Sequence, residues 1–264
     1  TNNLLTTNEI KQFASLKQKK FRLEHGKYLI EGFHLIEECL SSPHELEYII
    51  LRNDVDLQGH TAILEKIAQN KTIVEPLPEK LFNKLTDTES SQGIVGVVNR
   101  PELSKTNSPG DLIIALDKVS DPGNLGTIIR TAYWFGVDQI LLSEGSADPY
   151  NPKVVRSTQG GIFHTNITED ADLAVELKKL ESKGYSVYLF TLDAEMSLSQ
   201  TSKSSESGKS VLVFGSEAHG ISKEIKDMGF VKVKIEGYSA SESLNVAISA
   251  GIALYEFKQH VIGK

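Results

Sequence analysis

Three short segments in the second half of the chain combine residue types that grip anions, polarise hydroxyls or hold a ligand by its backbone. The first, SDPGNLGTIIRTAYWFG (120–136), runs out of an apolar stretch through an Asp-Pro-Gly-Asn turn into a helix-like pattern. Asn124 reads locally as an N-cap, with Gly126 easing a tight entry. Arg130 fits a purely structural reading less well. It stands among Ile128, Ile129, Ala132 and Phe135, so its cation must reach back toward the strand ends, where ligands bind in open α/β sheets. The second segment, VFGSEAHGIS (213–222), is a strand followed by a glycine-bounded loop with Glu217 near its middle. Gly215, Gly220 and Ser222 imitate a phosphate-binding loop, but Ile221 occupies the lysine position, which argues against a nucleotide triphosphatase. The glycines let a ligand approach backbone amides instead. In the third, KIEGYSASESLNVAISAGIALYE (234–256), Ser243, Leu244 and Asn245 open the final helix, and the serine and asparagine taken alone read as caps.

Alternating short β-rich and helical runs must position these segments. Runs at 28–31, 46–51, 71–75 and 93–98 read as strands, separated by helices around 33–40, 61–68 and 80–84, which makes a small α/β domain. Residues 100–110 carry two prolines and a glycine without apolar periodicity and read as a linker. Beyond it, 111–119 has the continuous apolar character of a strand buried on both faces, followed by a helix over 125–135. Further strands at 139–143, 186–192, 210–215 and 231–235 predict a second α/β domain, 111–264, with a mostly parallel sheet. The serine- and lysine-rich 194–209 reads as a loop excursion between two of these strands. The final helix, Leu244 to His260, is apolar or small around much of its circumference and needs cover on several sides.

A chain of 264 residues that is 39% hydrophobic buries ample core. Its net charge of −7 means that any polyanion must be met by a local basic patch. One lies between residues 10 and 27, where Lys11, Lys17, Lys19, Lys20, Arg22 and Lys27 face only Glu24. A solvated helix face and an RNA-binding surface both account for it. One cysteine, Cys39, excludes an internal disulfide, the polar opening residues do not resemble a secretory leader, and the longest apolar stretches fall short of a membrane span, so we expect a cytoplasmic protein. No zinc-ligand spacing is present, and we expect no metal.

Taken together, N-x-G-x-x-x-R-T-A, G-S-E-x-x-G and E-S-L-N-V, in that order, resemble the three motifs of the SpoU family of RNA ribose 2′-O-methyltransferases, in the SPOUT superfamily. Residues 15–32 resemble the start of that family's ribosomal-protein-like substrate-binding domain, and 151–163 another family stretch; the departures are Thr158 for the usual serine and, in the second motif, Ala218 for the usual glycine. The resemblance implies an N-terminal RNA substrate-binding domain over 1–99 and a catalytic domain tied in a deep trefoil knot. It also implies a homodimer formed through the catalytic domains. S-adenosylmethionine is expected against the loops of Thr191, Leu192, Gly215, Gly220, Ile235 and Leu244.

Arg130, Asn124, Glu217, Ser243 and Asn245 become the expected catalytic set, with Lys17, Lys19, Lys20 and Arg22 on RNA phosphates. A guanidinium, with a pKa above roughly 12, is a reluctant base, so Arg130 is expected chiefly to stabilise a developing alkoxide and grip a phosphate. Two other readings compete. A non-catalytic RNA-binding protein on the same scaffold has no need of all of Arg130, Glu217 and Asn245, and a small-molecule methyltransferase has no need of the basic N-terminal run.

Overall fold

A computed structural model of the chain describes residues 5–88, 90–101, 110–201, 208–239 and 243–262. They form two compact units, one of residues up to 101 with Asp148–Phe163, the other of 110–147 with the residues from His164 on.

The first unit opens with α1 (Thr7–Ser15), whose entry is a capping box. The Thr6 hydroxyl accepts from Glu9 N at 3.2 Å, and the Glu9 carboxylate accepts from Thr6 N at 2.7 Å. Then come α2 (Lys19–His25), β1 (Lys27–Glu31), α3 (Phe33–Leu40), β2 (Leu46–Arg52), α4 (Thr61–Gln69), β3 (Ile73–Leu77), α5 (Glu79–Phe82) and β4 (Ile94–Asn99). The strands pair in the order β1-β4-β2-β3, antiparallel except for β2 with β3. β3 tolerates Pro76 because it is an edge strand. Ile10, Phe13, Leu16, Leu29, Ile50 and Phe82 pack into one apolar cluster.

The basic run does not act as one surface. Lys19 and Lys20 are exposed on α2, but Lys17 is half-buried and donates to Thr86 O at 2.5 Å. Arg22 is only 1% exposed, so the expectation that it binds RNA is corrected. Its Nε and Nη2 donate to Asp148 Oδ2 at 3.0 and 2.5 Å, and its Nη1 donates to Leu16 O at 2.7 Å. A guanidinium so enclosed, with a carboxylate already neutralising it, is out of reach of a phosphate in solvent. Asp148 begins a segment that we had expected to lie with everything from 111 onward. It packs instead with the first unit, through α7 (Pro152–Thr158) against β1 and an Arg156–Asp87 pair at 2.9 Å.

The second unit contains β5 (Leu112–Asp117), α6 (Pro122–Trp134), β6 (Gln139–Ser143), β7 (Asn166–Ala171), α8 (Leu173–Ser182), β8 (Ser186–Phe190), β9 (Met196–Ser197), α9 (Leu198–Thr201), β10 (Ser210–Gly215), α10 (Lys223–Lys226), β11 (Val231–Lys234) and α11 (Val246–Ile262). The sheet order is β7-β6-β5-β10-β8-β11-β9, with every pairing parallel. The 194–209 stretch is not all loop, since it includes β9 and α9; its residues 202–207, like 102–109 of the expected linker, lie outside the described residues. Val246, Ala247, Ala250, Ala253, Leu254 and Phe257 of α11 are buried. Among the described residues, no helix is long and apolar enough to cross a membrane.

The Arg22–Asp148 pair makes a stability prediction. Asp148→Asn leaves a buried guanidinium without its counter-ion and is expected to destabilise the first unit by about 3 kcal/mol, read from urea unfolding.

Candidate functional site

The strand order sets where a ligand can sit. From β5 the chain builds outward through β6 to β7, then lays β10 against the other side of β5, so β5 and β10 flank a topological switch point. Their ends are level, with Asp117 paired to Gly215. β8 runs parallel beside β10 and β11 parallel beside β8, so their outgoing residues, Thr191 and Ile235, leave from the same end of the sheet.

The loop after β5 enters α6 through Asp121, whose side chain accepts from Asn124 N at 2.8 Å. The cap is therefore Asp121, and the local reading of Asn124 as the cap is corrected. Pro122 at the first helical position agrees with that frame, and the Asn124 side chain is released for other work. Arg130 lies six residues, roughly 9 Å along the axis, beyond Asn124. It is exposed and bound by no hydrogen bond or ion pair among the described residues.

The loop after β10 folds tightly on itself. Ser216 bridges Gly220, and Gly220 N donates to Ser216 O at 2.8 Å. A Cβ on Gly215 would lie 2.0 Å from the Gly220 carbonyl carbon, so no side chain fits there. Gly220, at φ +66°, has open space on its Cβ side. The far end is anchored twice: Ile221 is buried in the apolar cluster of this unit, and Ser222 N donates to Asp117 Oδ2 at 2.7 Å. Ile221 is thus a hydrophobic anchor at the place where a phosphate-binding loop carries lysine. Asp117, 3% exposed, went unmarked in our sequence reading, although it is the only charge inside the apolar run 112–117.

The three segments meet at Asn245. Its Oδ1 accepts from Ala247 N at 3.0 Å and Ile248 N at 3.2 Å, capping α11. Its Nδ2 donates to Asn124 Oδ1 at 2.9 Å and to Glu217 Oε1 at 2.8 Å. The orientation of the amide is dictated, because its oxygen must face the helix N–H groups and its nitrogen the two acceptors. The cap reading of Asn245 is correct, and the same side chain also links the other two segments.

Of the other expected residues, Ser243 is exposed just before the helix, and Leu192 and Leu244 expose 71% and 45% of their surface. Thr191 N donates to Val233 O at 3.0 Å, and its hydroxyl donates to Asp193. That bond, helped by Lys232, holds the Asp193 carboxyl below its ordinary range.

Residues 111–255 match the model of the SpoU rRNA methylase family. The chain belongs to this family. Residues 7–96 match a second model, the MRM3-like substrate binding domain, over the first sheet. The 23S rRNA (guanosine(2553)-2′-O)-methyltransferase RlmP of Bacillus subtilis is 32% identical over 250 residues, covering 95% of this chain and 96% of that protein. Among solved structures, the AdoMet-bound rRNA methyltransferase of Sinorhizobium meliloti superposes with a TM-score of 0.83 at 28% identity, covering 97% of this chain and 96% of that one. The SpoU methyltransferase AviRb of Streptomyces viridochromogenes, at 21% identity and a TM-score of 0.86, shares the fold. The family match contains the Asn124, Glu217 and Asn245 loops in full.

Variants of Asn245 separate its two tasks. Asn245→Ala is expected to cost about 1 kcal/mol through the lost cap, while Asn245→Asp keeps the cap and replaces the link to Glu217 with repulsion. Urea unfolding should place the aspartate variant near wild type, and hydrogen exchange at Gly220 and Ser222 should quicken in both.

Proposed function

We propose that this protein transfers the methyl group of S-adenosylmethionine to a ribose 2′-hydroxyl of structured RNA, ribosomal RNA in the first instance. The observation that carries the reading is the junction at Asn245, where one amide holds residues from three separate motifs in one place. The names of the relatives supply the reaction and the cofactor. A relative of matching length acts on 23S rRNA, and the S. meliloti neighbour binds AdoMet.

The loops after β8, β10 and β11 and the start of α11 fit such a cofactor, with Thr191, Leu192, Gly215, Gly220, Ile235 and Leu244 as its contacts. Gly220 leaves backbone bare, Gly215 lets the loop fold tightly enough to present it, and Leu192 and Leu244 offer apolar cover. When bound, the cofactor brings a sulfonium-activated methyl group. What remains for the protein is to align a hydroxyl with that carbon and help its proton leave, and positioning is the larger part of such catalysis. In our reading Arg130 stabilises the developing alkoxide, while Asn124, Glu217, Ser243 and Asn245 orient the ribose. Exposed Lys19 and Lys20, with Lys17 beside them, contact RNA phosphates in the substrate-binding unit.

The remaining parts of the proposal are architectural. The order β5-β10-β8-β11, with a late strand placed centrally, supports a knotted second unit. Ile248, Ile252 and Tyr255 form an exposed apolar stripe on α11, and Trp134 at the end of α6 is 83% exposed, which supports a homodimer buried along these helices. A cytoplasmic location follows from the substrate.

Incubation with tritiated S-adenosylmethionine and total RNA tests the reaction, and label resistant to ribonuclease would overturn the choice of substrate. Arg130→Lys should bind cofactor within about twofold of wild type by calorimetry yet lose roughly 100-fold in methyl incorporation; near-normal turnover would remove Arg130 from the mechanism. Ile252→Glu is expected to convert the dimer to a monomer in light scattering.

A further inference from the structure

Among the described residues, three that are not glycine adopt a left-handed backbone: Lys118 (φ +56°), Gln159 (φ +49°) and Asp170 (φ +49°). Two have local explanations. Gln159 is the C-cap of α7, where that conformation is common. Asp170 lies in edge strand β7, where three residues span two of β6 and form a bulge. Lys118 has neither excuse. It leaves β5 directly, and its N–H donates to Ser143 Oγ at 2.8 Å, which holds the strained turn in place. Glycine or asparagine would sit there more easily than lysine.

Its location gives the strain a use. Lys118 is the residue after buried Asp117, at the switch-point edge from which the loops of Asn124 and Glu217 leave. The side chain is exposed and forms no ion pair with any described residue. Asp121 and Glu217 on the same two loops are exposed carboxylates that repel a polyanion, in a chain of net charge −7. A strained conformation kept at a binding edge points to a side chain wanted for what it meets there.

We propose that Lys118 contacts an RNA phosphate beside the methyl-transfer site and so offsets the acidic rim. This rests on the functional reading above. Lys118→Asn removes the charge while suiting the left-handed backbone, and Lys118→Arg retains the charge. The asparagine variant should melt at or above the wild-type temperature and raise KM for RNA about fivefold at moderate salt. It should also reduce the slope of log affinity against log salt by about 0.9, with cofactor affinity and kcat at saturating RNA unchanged. The arginine variant should restore the slope. Wild-type RNA affinity and slope in Lys118→Asn would overturn the proposal, as would a loss confined to cofactor affinity, which would assign the lysine to the cofactor's carboxylate. RNA binding with the predicted dependence on Lys118 but without methyl transfer would uphold this contact and overturn the enzymatic reading, whereas a wild-type protein that binds no RNA would overturn both.

Discussion

The carboxamide of Asn245 is the point on which the site depends, because its two ends make incompatible demands that only one arrangement meets. The oxygen must accept from the first turn of α11, or that turn loses its cap; the nitrogen must then point away from the helix, at Asn124 and Glu217. Formation of the last helix and convergence of two distant loops thereby become one event. A glutamate on an exposed loop is ordinarily free to wander through its rotamers. Here one of its oxygens is held by the Asn245 amide.

Beneath that junction the support is stiff. Gly215 admits no side chain because the loop doubles back onto it, Ile221 is sunk into the core, and Asp117 receives the Ser222 amide from below. Arg130 and Lys118, by contrast, extend into solvent with no described partner. Under the proposed reading, such a division suits a polyanionic substrate, with neutral and acidic groups fixed within the protein and cations at its surface.

Much of this was legible from residue order, and the failures have physical causes. Strands at 139–143 and 210–215 reach one residue beyond their apolar runs at each end, since strands buried on both faces have no other pattern to follow. The edge strand was displaced from 71–75 to 73–77 because Pro76 reads as a breaker, although an edge strand tolerates it. α1 and α2 were hidden by the lysines that drew attention to charge instead of to the Thr6–Glu9 box. Arg22 was misassigned because its counter-ion lies 126 positions away, a distance at which no local rule operates. The motif residues were found by type and spacing, but that one amide would join three of them is a property of the folded sheet and cannot be seen along the chain.

The placement of β10 between β5 and β8 bears on how the protein comes into being. As the polypeptide emerges from the ribosome, β5 through β8 can be made well before residue 210 exists, yet β5 must wait with one flank of backbone groups unsatisfied. Only when the later strand is inserted does that flank close, and only after residue 245 has followed can the amide junction form. The growing chain therefore has no complete pocket until α11 has been synthesised, and a product that stops before residue 210 is left with an unpaired sheet edge, a template for aggregation rather than a weaker version of the finished protein.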